Sequence, residues 1–301
     1  MIMDISQAET KITRALCDSD FDGCVCAAIL KEVFPDIELF FTDPHTVQCG
    51  KFNEWVGEDT VVADLPYIQG VGLYFDHHVG NNPQQKIVGH WAAADCAAQI
   101  LYKIYEHKLS SVKYQNLLTR LAAFDSGKVL ATDVINPDIY MQIGFAIDRK
   151  DNAYHKFFAE YLAKHDWESL INHDLTQAKL LQESNNRESY LHFVKKQIQI
   201  DTDLAVLDLR NYQGETSHSF FVTMLYPQTR GLVIIKYDCA CTKINFYSNI
   251  FSDSDKPEIN FLDIARTINL EASGGHKGAC GCTIPTGMSV EQAIKKIKEL
   301  L

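Results

Sequence analysis

Three short apolar runs in the first part of the chain stop on acidic residues. "KITRALC" (11–17) leads into Asp18, Asp20 and Asp22 of "CDSDFDG", "TVVADLP" (60–66) carries Asp64, and "GLYFDHH" (72–78) ends on Asp76, His77 and His78. Between and after them lie a further strand-like run, "IELFFTD" (37–43), and the helical patterns "CVCAAILKEVF" (24–34), "ADCAAQILYKIYEHK" (94–108, with Asp95 placed to cap it) and "VKYQNLLTRLAAF" (112–124). Strand-length runs alternating with helical spacing signal βαβ units and a parallel sheet, so the first 150 residues or so are expected to be a Rossmann-like α/β domain. In such sheets the functional groups sit on loops at the carboxyl ends of the strands, which puts all these acidic residues on one edge.

From about 150 to 200 the composition turns charged and polar with helical spacing, which predicts a helical connector over 151–200. "LAVLDLR", "SFFVTMLY", "GLVIIKYD" and "KINFYSNI" then read as strands, followed by a Gly-rich loop and the amphipathic helix "SVEQAIKKIKELL". Residues 201–301 are therefore expected to form a smaller α/β domain with a mixed sheet.

At 301 residues the chain suits two domains, and with 46% hydrophobic residues each can bury a core. No apolar run reaches the roughly 18 residues a membrane span needs, and the N-terminal segment lacks the pattern of an export signal, so a cytoplasmic protein is expected. Nine cysteines, an odd number, then suit reduced thiols. The pairs Cys24/Cys26, Cys239/Cys241 and Cys280/Cys282 have a Cys-x-Cys spacing unlike that of structural zinc sites, and are read as buried thiols. A net charge of −11 without a basic run disfavours long duplex nucleic acid. It leaves a homodimer open and favours small or short anionic partners held at a few points.

Asp125 in "LAAFDSGK" follows a predicted helix and can return to the same edge. Four or five carboxylates within a few ångströms of one another repel strongly in a low dielectric, so the set is tolerable only with cations. A single Asp at a strand end is ordinarily a turn residue or a helix cap. A calcium loop is ruled out because Gly23 directly follows Asp22 and no Glu closes the loop. Oxygen ligands with one or two imidazoles suit manganese, magnesium or cobalt.

"DSDFDG" (18–23), the isolated Asp64, "DHH" (76–78), "DSG" (125–127) and the late "SGGHKGACG" (273–281) together resemble the DHH phosphoesterases. The last motif resembles the DHH-associated domain of the RecJ-type exonuclease and nanoRNase branches. The resemblance implies two manganese sites: Asp20 and Asp22 bind the cations, Asp64 bridges them, and His77 and Asp125 complete the second. It further implies that His78 faces the phosphate, that Asp76 orients the imidazoles, and that Gly274, Gly275 and His276 bind the remote end of a nucleotide in an inter-domain cleft. Lys277 and Lys128 are candidate phosphate contacts. Two positions depart from the family pattern: Leu16 stands where a metal-binding His is usual, so one metal is expected to be weak, and Tyr247 stands where many relatives have Arg.

The expected activity is therefore metal-dependent hydrolysis of a phosphate ester in a small nucleotide or short oligonucleotide by activated water. The alternatives are a polyphosphate phosphatase and a non-catalytic nucleotide-binding or adaptor protein on the same fold.

Overall fold

A computed structural model describes residues 5–201, 203–238 and 241–301, so Cys239 lies outside the described residues. They form two compact units, one reaching to Val129 and including Pro137–Gln182, the other made of Leu130–Asn136 and Glu183–Leu301.

The first unit opens with α1 (Ile5–Glu9), β1 (Arg14–Asp18), α2 (Phe21–Val33), β2 (Glu38–Thr42) and α3 (Pro44–Gln48). It continues with β3 (Thr60–Ala63), β4 (Leu73–Asp76), β5 (Gly89–Trp91), α4 (Ala97–Tyr105) and α5 (Ser111–Asp125). After α6 (Ala131–Ile135), which belongs to the second unit, come α7 (Ile139–Ala146), α8 (Asn152–Lys164), α9 (Trp167–Ile171) and α10 (Asp174–Gln197), the last running from the first unit into the second.

The five strands pair in the order β2-β1-β3-β4-β5, all parallel. The order reverses between β1 and β3, which is where an open α/β sheet presents its crevice. Alternate residues divide the apolar content between two faces. Ala15, Cys17, Val61, Ala63, Leu73 and Phe75 pack under α2, α4, α5 and α8, while Leu16, Val62 and Tyr74 meet Val47, Val56, Leu65 and Ile68 on the other side.

Four local readings change. α2 begins at Phe21, three residues earlier than its apolar pattern suggests, because the Asp20 side chain caps it by accepting from the Gly23 amide. Gly23 is required there, since a Cβ would lie 2.0 Å from the Asp18 carbonyl oxygen. Asp95 does not cap α4, whose N-cap is Cys96; the amides of Ala97 and Ala98 donate instead to Asp22. Residues 152–182, expected to be part of a connector, pack into the first unit, because Phe158, Ala159 and Leu162 of α8 bury themselves in the same core as α2. β5 has three residues and too little apolar content to signal itself.

The second unit contains β6 (Gln199–Asp201), β7 (Leu204–Asp208), α11 (Ser219–Leu225), β8 (Gly231–Asp238), β9 (Cys241–Ser248), α12 (Phe261–Ile268), β10 (Ser273–Gly275), β11 (Ala279–Thr283) and α13 (Val290–Glu299). Its mixed sheet runs β10-β11-β9-β8-β7-β6, with β7 and β8 parallel and the other pairs antiparallel. α12 and α13 cover one face, and Tyr190, Val194 and Val222 from α10 and α11 cover the other. "SFFVTMLY" is thus a helix rather than a strand. A short apolar run does not discriminate between the two by itself, and here the His218 side chain accepts from the Phe220 amide and starts a helical turn.

Candidate metal centre

The end of β1 and the start of α2 supply three carboxylates, each tied by a different backbone device. Asp18 is buried and accepts from the Ser19 amide at 2.6 Å, Asp20 accepts from the Gly23 amide at 3.0 Å, and Asp22 takes the two α4 amides at 2.6 and 3.0 Å. Asp22 therefore joins α2 to α4 while keeping an oxygen 3.9 Å from His77 Nε2.

Asp64 directly follows β3 and has φ of +60°, the one left-handed non-glycine among the described residues. Asp tolerates that region better than most residues because its short polar side chain can bond locally. It is 1% exposed, and neither carboxylate oxygen accepts a hydrogen bond.

β4 ends on Asp76, which is held by Tyr74 Oη at 2.8 Å and by His78 Nδ1 at 2.8 Å. His77 Nδ1 lies 3.0 Å from the Ala94 carbonyl oxygen. A carbonyl only accepts, so Nδ1 carries the proton and the Nε2 lone pair faces the carboxylates, 3.4 Å from Asp64 and 3.3 Å from Asp125. Asp125 is the last residue of α5 and not a residue beyond it, so the helix end itself brings it here.

Three sets of ligand atoms result, each with its members within 4.8 Å of one another: Asp64, Asp76, His77 and His78; Asp22, His77 and Asp125; Asp18, Asp20 and Asp64. The electrostatics of these sets would favour a bound cation. Burial, then the neighbouring Asp22, Asp20 and Asp125, push the Asp64 carboxyl well above the usual range. Burial likewise raises Asp125, Asp22 and Asp18, the last further raised by Asp20. Burial also opposes ionisation of Asp20, but Arg149, the Gly23 amide and His78 together outweigh it and hold that carboxyl low. Across the Asp76–His78 bond the partners favour each other's charged form against the cost of burial, so Asp76 is lowered and His78 raised. Two buried oxygens on Asp64 without a donor, beside other carboxylates and an imidazole lone pair, fit a divalent cation with oxygen and nitrogen ligands.

Arg149, in the loop between α7 and α8, is absent from the sequence reading. Its Nη1 donates to Asp18 at 3.0 Å and its Nη2 to Asp20 at 2.6 Å. No motif marks it, and it lies far along the chain from the carboxylates it joins.

The remaining candidates are not members of these three sets. Lys128 pairs with Asp95 at 2.7 Å and Lys277 with Glu258 at 3.0 Å. Gly274 and Gly275 form β10, opposite Gly281 and Cys280, and exposed His276 begins the turn into β11. Gly275 has φ of +117°, and a Cβ there would lie 2.5 Å from the Ala279 carbonyl oxygen, so the tight hairpin requires glycine. Leu16 is wholly buried in the apolar cluster with Val62 and Tyr74, and Tyr247 lies on β9 opposite Ala279. Cys17, Cys24, Cys26, Cys280 and Cys282 are buried thiols, and burial pushes Cys17 far above the range in which it would ionise.

No family model and no curated protein matches the sequence. Solved structures do. PggH, a pGpG-specific phosphodiesterase from Vibrio cholerae, is similar with a TM-score of 0.70 at 19% identity over 96% of this chain and 97% of that one. RecJ from Thermus thermophilus in complex with Mn2+ aligns with a TM-score of 0.58 at 14% identity, over 99% of this chain and 55% of its own. The chain has the DHH phosphoesterase fold. An exopolyphosphatase-related protein from Bacteroides fragilis shares it, with a TM-score of 0.55 at 13% identity over 98% of this chain and 94% of that one. The parallel sheet of the DHH fold is the first unit, and the mixed sheet that follows it is the second. Among the described residues no helix is long and apolar enough to cross a membrane.

Proposed function

We propose that the chain is a metal-dependent phosphohydrolase acting on a phosphate ester of a small nucleotide or short oligonucleotide. The observation that carries this reading is Asp64, a carboxylate 1% exposed whose oxygens accept no hydrogen bond, within 4.8 Å of ligand atoms from two of the acidic sets. Leaving such a group buried is costly unless a cation completes it.

In this reading Asp20 and Asp64, with Asp18 beside them, hold one manganese ion, and Asp22, Asp64, His77 and Asp125 hold the other; magnesium and cobalt suit the same donors. Cations bound there would supply charge to neutralise phosphate oxygens and would acidify a water molecule. The Ala94 carbonyl fixes His77 in the tautomer that offers Nε2. His78, favoured as an imidazolium by Asp76, supplies positive charge to phosphate oxygens as charge builds on them. Tyr74 holds the far oxygen of Asp76 and so fixes the pair. Gly274, Gly275 and His276 of the second unit take the part of the substrate remote from the scissile bond, with Lys277 and Lys128 as further phosphate contacts once released from their present ion pairs.

PggH is described as specific for pGpG, which makes a 5′-phosphorylated dinucleotide the first substrate to try. The test is release of mononucleotide from pGpG and other dinucleotides, and of phosphate from polyphosphate, with Mn2+, Mg2+ or Co2+. Metal-dependent turnover that disappears in Asp64→Asn and His77→Ala supports the reading. Turnover at the unmodified rate in both variants, or in excess chelator, refutes it. Nucleotide binding without turnover of any ester would place the chain with the non-catalytic alternative.

A further inference from the structure

We propose that Arg149 is the built-in counter-ion of the Asp18–Asp20–Asp64 set, gives way when a divalent cation enters that set, and then takes a phosphate oxygen of the substrate. The inference rests on the metal-dependent reading above and concerns what this chain has in place of a ligand at position 16.

One fork of the guanidinium spans two carboxylates. Nη1 reaches Asp18 Oδ1 at 3.0 Å and Oδ2 at 3.3 Å, while Nη2 reaches Asp20 Oδ2 at 2.6 Å. Asp18 and Asp20 are also two of the three members of the all-oxygen set. A cation entering that set needs oxygens that Arg149 now holds, so the two compete for the same side chains. The other acidic set, Asp22, His77 and Asp125, has an imidazole and makes no ion pair with Arg149 among the described contacts. Direct competition for bonded oxygens therefore falls on one metal position. It is the position where Leu16, buried among Val62 and Tyr74, offers no nitrogen ligand.

The base of the arginine is fixed while its head has room. The Asp148 carbonyl oxygen receives His155 Nε2 at 2.8 Å from a fully buried ring, and also the Asp151 amide at 2.9 Å. Asp148 Oδ1 takes the Lys150 amide at 3.0 Å, and Asp151 caps α8 through the Tyr154 amide at 3.0 Å. The loop is thus pinned on both sides of Arg149, whose side chain is 51% exposed. Once a divalent ion neutralises Asp18 and Asp20, the attraction that holds the guanidinium is lost, and the same planar fork matches two oxygens of a phosphate.

The test is a calorimetric titration of Mn2+ into the chelator-stripped full chain at constant pH, for the unmodified protein, Arg149→Gln and Arg149→Lys. Inorganic phosphate is then titrated into each Mn2+-saturated form. A competing charge-assisted pair should weaken the ion by about tenfold or more, so Arg149→Gln is expected to tighten the weaker Mn2+ site by that factor and to change the tighter one much less. Phosphate should bind the Mn2+-loaded Arg149→Gln form about tenfold more weakly. Arg149→Lys, which keeps the charge but cannot span both carboxylates, should fall between on both readouts, and it carries the test if the neutral variant does not fold. Mn2+ binding that is unchanged or weaker in the variants, or phosphate binding that is unchanged, overturns the inference while leaving the metal centre intact. Absence of Mn2+ binding in all three forms instead overturns the metal centre itself.

Discussion

Replacing Asp64 by Asn should stabilise the metal-free protein and destroy its response to metal. The substitution isolates charge, because Asn is nearly isosteric and tolerates the left-handed backbone at +60° as well as Asp does. Asp18, Asp20 and Asp64 present oxygens within 4.8 Å of one another. At that separation each ionised pair repels by about 3 kcal/mol for an effective dielectric of about 20. The site can avoid this by keeping a proton on Asp64, but protonating an ordinary carboxyl at pH 7 costs about 4 kcal/mol, which caps the penalty. The Asn amide loses part of the gain to its own unmet hydrogen bonds, about 1–3 kcal/mol. A net gain of about 1–3 kcal/mol remains, or roughly 3–10 °C in Tm for a unit of this size.

The pH dependence has a definite sign. The folded-state values of Asp18, Asp22, Asp64 and Asp125 are raised by burial, so between the ordinary carboxylate value near 4 and the raised one the native state holds more protons than the unfolded chain. Stability of the metal-free protein should therefore fall as pH rises through that window. The raised His78 acts in the same direction above its ordinary value near 6.5. The lowered Asp20 and Asp76 contribute stability that is lost only below about pH 4, outside this range. Differential scanning calorimetry in chelator should show Asp64→Asn above the unmodified protein at pH 8, with the gap narrowing at pH 5. With Mn2+ at about 100 times its Kd the unmodified protein should gain about 2.7 kcal/mol and the variant much less. A metal-free variant less stable than the unmodified protein, or an equal Mn2+ shift in both, would show that Asp64 is neither strained by its neighbours nor part of a cation site.

Three further outcomes are expected. His276→Ala should raise KM several-fold with kcat nearly unchanged, since a contact on the remote part of the substrate is lost equally from ground and transition states; a fall in kcat at constant KM would place His276 in the chemistry. Asp76→Asn should return the metal-free His78 ring towards its ordinary value, read as a lower titration midpoint of its ring protons by NMR, and an unmoved midpoint would remove Asp76 as the cause. Leu16→His should lower the metal-free Tm, because a buried imidazole without a partner costs about 1–3 kcal/mol, and should enlarge the Mn2+-induced shift; equal shifts in both forms would put position 16 out of reach of the cation.

What the sequence makes legible is the chemistry at strand ends. Asp20, Asp22, Asp64, Asp76, His77 and His78 each sit beside an apolar run whose parallel pairing can be inferred, so their convergence follows from topology alone. What it hides are contacts that depend on packing between distant segments. Arg149 stands in "IDRKD", a stretch that reads as a solvated loop, and only the burial of α8 against α2 brings that loop to β1. The capping of α4 misleads for a related reason: Asp95 is the local candidate, but Asp22 reaches the amides across the fold and is thereby fixed for its place in the acidic set. α11 is hidden differently, by an apolar run too short for period alone to choose between helix and strand.

The departure at Leu16 can be understood from the pleat of the sheet. Leu16 lies opposite Val62, and Val62 opposite Tyr74, so these three form one apolar row across β1, β3 and β4. Two residues further along the chain come Asp18, Asp64 and Asp76. The acidic row thus rests directly on an apolar one, which keeps the dielectric beneath it low and strengthens both repulsion among the carboxylates and attraction to a cation. An imidazole in the lower row would add a ligand but let polarity into that floor. With Leu there, the floor stays dry and the carboxylates nearest to it need charge from elsewhere, which Arg149 provides from the solvent side. Asp18, Asp20, Asp22 and Asp76 each accept from a fixed donor, whereas Asp64 accepts from none, so unmet charge concentrates on the one carboxylate that belongs to two of the three sets.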